Sequence, residues 1–260
     1  EFLGLYVLME KIKRDKNRVD ISKNRSDDIS GGYIIKIDKI TGDGDTLNED
    51  IAFMSEYTRY GAKGINKNVH FLYEYPKNRD ISDEQKDYIQ GYMRDFEDAM
   101  ASENFTDESE GYKKYIDVDS FIDFFILNEI SRNVDAYRIS TFMHKDINEK
   151  LKMGPIWDFN IAFGNANYCE GGLTNGWAYK FNEVCPADGM LVPFWWDRLM
   201  QDPSFTGALR ERWTSLRLNE LSDSSIMSIV DELVIELVYS DAMTQNFGKW
   251  LILGAYIWPN

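Results

Sequence analysis

The chain has 260 residues, 43% of them hydrophobic and 14% aromatic, which suffices for the core of one domain or of one domain with a lobe. With 44 acidic against 29 basic residues its formal charge is −15, so nucleic-acid backbones and anionic membranes are unsuited as partners and a basic protein substrate is suited. No apolar run approaches the ~20 residues of a membrane span, and two histidines with two cysteines lacking metal-like spacing speak against zinc.

Residues 2–12 are apolar and aromatic and read as a strand ending in Glu10-Lys11. Residues 13–30 are charged and read as a surface helix fragment or loop. Residues 32–40 alternate and read as a second strand. Residues 41–50 hold Gly42-Asp43-Gly44-Asp45, a turn, because the ligand spacing and closing Glu of a calcium loop are missing. Residues 69–75 read as a short strand closed by Pro76. Ser82, with Gln85 three residues on, predicts the capping box of a helix running to about residue 102. Its buried stripe is Tyr88, Ile89, Tyr92, Met93, Phe96 and Met100. Residues 105–115 read as a polar connection.

The centre of the sequence is 116–164. The apolar run 121–130 has helical spacing, with Asp119 and Ser120 as N-cap candidates. A polar stretch, Ser131-Arg132-Asn133-Val134-Asp135, follows it. Two strand-like runs, 139–145 and 150–157, then flank the turn 146–149 and deliver Trp157-Asp158-Phe159-Asn160. A hairpin returns the chain to where it began, so Asp135 and Asp158 are expected at one end of the ribbon, where both can face one metal or one reacting group. Alone, either reads as structural, Asp135 as a helix-end cap or a partner for Arg132 or Arg138 and Asp158 as a turn aspartate. Helix, polar loop with Asp, hairpin and Asp-Phe is also the layout of a kinase catalytic loop and its metal-binding segment. The letters differ from ordinary kinases: His-Arg-Asp is absent, and Asn160 stands where Gly is usual.

Residues 165–190 form a long irregular loop with Cys169, Cys185, Trp177 and Tyr179, placed to close over a ligand or to pack on its own aromatics. The two cysteines admit two readings, a disulfide in an exported protein or two unpaired small residues. From 191 the pattern is helical, over 192–201, 204–217, 222–239 and 241–253, with Trp195, Trp196, Trp213 and Trp250 expected in the core.

Asn133-x-Asp135-x-Tyr137, then Lys150-Leu151-Lys152-Met153-Gly154-Pro155-Ile156-Trp157-Asp158-Phe159-Asn160-x-x-Phe163-Gly164, closely resembles the CotH family of spore-coat-protein-H-like atypical kinases. Gly4-Leu5-Tyr6-Val7-x-x-Glu10 fits the same family. So does Phe194-Trp195-x-x-Arg198-Leu199-x-x-Asp202-Pro203-x-Phe205 with Arg212-Trp213, so the resemblance spans most of the chain.

The resemblance implies an α+β, atypical protein kinase-like fold in a single domain over 1–260. Residues 1–76 would be a strand-rich remnant of hinge and N-lobe, and 77–260 a mainly helical C-lobe carrying a catalytic hairpin at 138–157. It implies ATP- and Mg²⁺-dependent transfer of phosphate to Ser or Thr of a protein substrate, and an extracellular or cell-surface location. Asp158 would bind Mg²⁺, Asp135 would sit at the acceptor hydroxyl or serve as a second metal ligand, and Asn133 and Asn160 would supply neutral oxygens. Glu10 would lie at the hinge near adenine or ribose. Family members commonly carry a second Asp at the position of Asn160, so Asn there removes one charge from the metal shell. The family's basic phosphate-contacting segment lies upstream of the Gly-x-Tyr strand. The sequence thus reads as cut at both ends, with no signal peptide in view, and as a stretch that binds nucleotide weakly or not at all by itself. Two other readings stand beside this one: a non-catalytic surface module binding glycan or protein through Trp177 and Tyr179, and a two-carboxylate hydrolase built on Asp135 and Asp158.

Overall fold

Alternation in Tyr33-Ile34-Ile35-Lys36-Ile37 builds the central strand of a five-stranded sheet. In the computed structural model, which describes residues 2–40, 47–64 and 69–258, the strands are β1 (Tyr33–Ile37), β2 (Ala52–Met54), β3 (His70–Tyr75), β4 (Thr141–Lys145) and β5 (Lys152–Met153). Their order is β2-β3-β1-β4-β5, and every pairing is antiparallel. β1 pairs directly with β4, from Tyr33 opposite Lys145 to Ile37 opposite Thr141. The early strands and the hairpin therefore share one sheet, in a mixed α and β protein.

Successive strand residues point to opposite faces. Tyr33, Ile35 and Ile37 enter the main core, whereas Ile34 joins a smaller cluster on the other face with Ile12, Val19, Ile21 and Phe142. The main core lies between the sheet and two helices. α1 (Asp83–Ala101) begins with the predicted capping box: Gln85 N donates to Ser82 Oγ and Ser82 N donates to Gln85 Oε1. Its Ile89, Met93, Phe96 and Met100 are buried, and Tyr88 and Tyr92 partly so. α2 (Val118–Ser131) contributes Phe121, Ile122, Phe124 and Phe125.

Several expectations are corrected. The N-cap of α2 is Asp117, which accepts from Ser120 N at 2.9 Å, and not Asp119 or Ser120. The Ser120 hydroxyl is occupied otherwise, donating to Asp117 O and accepting from Met153 N. The second hairpin strand is shorter than 150–157. After Met153 come Gly154 at φ +107° and Pro155, which has no N–H to extend the ladder. Residues 2–12 form no strand. Their polar backbone contacts run instead to the C-terminal part, from Leu5 N to Asn246 Oδ1 at 3.1 Å and from Lys249 Nζ to Phe2 O at 2.7 Å. Of the two readings of residues 13–30, helix fragment or loop, the structure has the loop, with one bridge, Arg14 to Val19. The Gly42-Asp43-Gly44-Asp45 turn lies outside the described residues.

Beyond the hairpin come α3 (Phe181–Val184), α4 (Trp195–Leu199), α5 (Pro203–Leu218), α6 (Asp223–Tyr239) and α7 (Ala242–Lys249). Trp195 and Trp196 are core residues, but Trp213 and Trp250 are 38% and 50% exposed, against expectation. α6 buries none of its residues. Cys169 and Cys185 form a disulfide. Among the described residues no helix is long and apolar enough to cross a membrane.

Candidate active site

α2 ends at Arg132 in the left-handed conformation, φ +44°, which turns the chain sharply away from the helix axis. The following loop is tied to the helix end. Asn133 N donates to Asn128 O, and Asn133 Nδ2 donates to Asn128 Oδ1 at 3.3 Å. Asn133 Oδ1 in turn accepts from Asp135 N at 3.2 Å. Asn133 is buried with its amide spent on this scaffold, so it positions Asp135 and does not line the cavity that Asp135 faces.

That cavity, about 660 Å³, lies on the sheet face opposite the helices and is edged by Asp135, Ser140, Trp157 and Asp158. Asp135 and Asp158 thus meet at one opening, as the hairpin geometry predicts. Asp158 is exposed and held at φ +61°, a conformation Asp tolerates better than most residues. Asn160 is exposed outside the cavity lining, and its carbonyl accepts from Asn165 Nδ2 at 2.7 Å. Glu10 is also outside, on the exposed N-terminal segment, and pairs with Arg18 at 2.9 Å.

Asp135 is a prepared carboxylate. Arg138, 2% exposed, donates from Nη2 to Asp135 Oδ1 at 2.7 Å and reaches Asp188 at 3.3 Å through Nη1. Its guanidinium also lies 3.8 Å over the Phe181 ring, which fixes it in place. Burial, aided by the Asp158 charge, raises the Asp135 carboxyl above the ordinary value, while Arg138 and Lys39 oppose the rise. A carboxylate oriented through one oxygen, with raised basicity, suits proton acceptance from a nearby hydroxyl.

The sequence reading missed the opposite wall. Lys36, Asp38, Lys39, Glu74 and Lys77 line the same cavity. Lys36 Nζ lies 3.2 Å from Asp38 and 3.6 Å from Glu74, and Lys77 Nζ lies 2.6 Å from Glu74. The available signal was Lys36 and Asp38 two apart at an otherwise apolar strand, hence on one face. Among the described residues no three His, Cys, Asp or Glu side chains gather closely enough to hold a metal by themselves. The cavity sets four carboxylates, Asp38, Glu74, Asp135 and Asp158, beside four lysines, Lys11, Lys36, Lys39 and Lys77. Asp135 and Asp158 would suit Mg²⁺ bound jointly with phosphate, where water and phosphate oxygens complete the shell.

The 165–190 loop is fastened next to this site. Glu129 accepts from Tyr137 Oη at 2.7 Å, from Ala178 N at 2.8 Å and from Tyr179 N at 2.9 Å. One half-buried carboxylate thus joins α2, the loop that carries Asp135 and Tyr137, and the segment that carries Trp177.

No curated protein and no solved structure matches the chain. A family model described as CotH kinase protein matches residues 1–257. With that match over nearly all of the chain, the protein belongs to the CotH kinase family.

Proposed function

We propose that the protein transfers the γ-phosphoryl group of ATP, with Mg²⁺, to a Ser or Thr hydroxyl of a protein substrate. The observation that carries this reading is the convergence of Asp135 and Asp158 on one cavity with Lys36, Lys39 and Lys77. Asp158, exposed at the mouth, would hold Mg²⁺, and Asn160, two residues on and outside the cavity lining, would be a neutral oxygen near it. Asp135 orients the acceptor hydroxyl and takes its proton as the oxygen attacks phosphorus and ADP departs. Bound Mg²⁺ would neutralise the phosphate charge that develops during transfer. The lysines hold phosphate oxygens, and the Trp157 ring on the cavity wall offers a flat apolar surface for the base. Glu10 keeps no ligand role here, because Lys11 and Ile12 reach the cavity while Glu10 does not.

We further propose that residues 1–260 act as one kinase-like domain and that it works at the cell surface or outside the cell. The disulfide supports that location, since such bonds persist in oxidising compartments.

The test is calorimetric titration of the full-length protein with Mg²⁺ and ATP, followed by transfer of labelled phosphate to a mixed Ser/Thr protein substrate. Asp158→Ala is expected to lose metal-dependent nucleotide binding. Asp135→Asn is expected to keep binding and lose roughly 10²–10⁴-fold in transfer rate. Transfer that survives both substitutions would sink the assignment. Absence of nucleotide binding would leave the surface-binding module as the better account.

A further inference from the structure

A second cavity, about 530 Å³, opens between α2 and α5, away from the nucleotide site, and its residues are not used by phosphoryl transfer. Its floor is apolar: Phe125 and Ile130 from α2 and Leu209 from α5. Two tryptophans stand at its rim, Trp177 at 54% and Trp213 at 38% exposure. Aromatic rings left this exposed around an apolar hollow bury large area at low entropic cost when something fills it.

Charge at the rim is one-sided. Glu129 lines the cavity, but its carboxylate is already met by the Tyr137 hydroxyl and by the amides of Ala178 and Tyr179. Arg210 also lines it. Its neighbours on α5 are paired, Arg212 with Asp123 at 2.7 Å and Arg217 with Asp223 at 2.7 Å. The Arg210 guanidinium has no ion pair or hydrogen bond among the described residues. In a chain of net charge −15 this leaves an unbalanced cation beside an apolar hollow.

Sugar is a poor fit, because a glycan site needs several polar groups converging on hydroxyls, and this lining has few. Trp, Arg and Met are the residue types enriched at protein interfaces and their energetic centres, and Met200 joins Trp177, Trp213 and Arg210 here.

We propose that this cavity is a docking pocket for a protein partner, taking one bulky apolar side chain that has an acidic residue beside it. The apolar group fills the space between Trp177 and Trp213, and the carboxylate meets Arg210. Because Glu129 fastens the Trp177 segment and Tyr137 together, a partner docked here lies next to the loop that carries Asp135. The proposal goes beyond phosphoryl transfer and does not depend on it.

The test is selection of a displayed library of random nine-residue peptides on the full-length protein. Selected peptides are then titrated, with tryptophan fluorescence as the readout. The expected peptides share a bulky apolar residue adjacent to Asp or Glu. Trp213→Ala and Arg210→Glu should each weaken their binding by about tenfold or more, whereas Asp158→Ala should leave it unchanged. Arg210 is exposed and has no partner among the described residues, so Arg210→Glu keeps the test readable even where Trp213→Ala lowers stability. That variant should also shift selection toward Lys or Arg beside the apolar residue. The proposal is overturned if no peptide is selected, if the selected peptides bind both variants as they bind the native protein, or if chitohexaose quenches the fluorescence and loses that effect in Trp213→Ala.

Discussion

α1 and α6 look alike in sequence and behave oppositely in the fold. Each is capped by a serine, Ser82 and Ser222, and each carries apolar residues at helical spacing. α1 buries Ile89, Met93, Phe96 and Met100 against the sheet and Trp195. α6 buries nothing, and Ile229, Val230, Leu233 and Val234 stay exposed. An apolar stripe therefore states what a helix is able to cover, and the neighbouring elements decide whether it does. The charged residues divide in the same way: Glu97 of α1 is 2% exposed, while Asp231, Glu232 and Glu236 of α6 face solvent.

The strongest way to break this comparison is truncation of one apolar residue in each helix. Phe96→Ala is expected to cost about 3–5 kcal/mol of unfolding free energy in chemical denaturation, because it empties a site packed by Phe121 and Trp195. Leu233→Ala should stay within about 0.5 kcal/mol, as surface substitutions do. Equal losses would mean that α6 is covered in solution.

Glu97 gives the next largest effect. It accepts from the Ser55 hydroxyl at 2.8 Å and from Trp195 Nε1 at 3.0 Å, yet burial pushes its carboxyl up to about 7 from 4.5. The folded chain therefore holds a proton that the unfolded chain releases between those values, and stability must fall as pH rises through that window. The loss reaches about 3 kcal/mol above pH 7. Glu97→Gln should remove that share of the pH dependence between pH 4.5 and 7 in paired denaturation curves. Parallel curves for the two proteins would show that Glu97 is not the titrating group.

The caps sharpen the comparison at the smallest scale. Ser82→Ala is expected to cost about 1 kcal/mol of global stability, since α1 unfolds only with the core. Ser222→Ala should leave the global midpoint in place and speed amide exchange in the first turn of α6 alone.

Much of the site was legible because it is local. The helix end, the hairpin turn at 146–149 and the two aspartates lie within one short stretch, and short-range pattern specifies how they fold back. The lysine wall was not legible. Lys36 and Lys39 come from β1 and its exit, and Lys77 follows β3. They meet Asp135 only because β1 sits between β3 and β4, a pairing that no spacing reveals. Residues 2–12 show the converse: their composition suits a strand, but a strand needs a partner, and their contacts run to Asn246 and Lys249 instead. Trp213 and Trp250 stay exposed for the reason α6 does, since hydrophobicity alone does not decide burial. The Asn133 amide closes the turn that presents Asp135, a backbone task that its place in the motif does not reveal.

The Cys169–Cys185 bond has a consequence for how the protein would behave under proteolysis. It brackets the segment with exposed Trp177 and the short α3, where a protease has ready access. A single cut between the two cysteines would leave one covalent molecule, migrating as an intact chain until a reductant is added and two pieces separate. Limited digestion read on paired gels, with and without reductant, would therefore separate cuts inside this loop from cuts elsewhere in the chain.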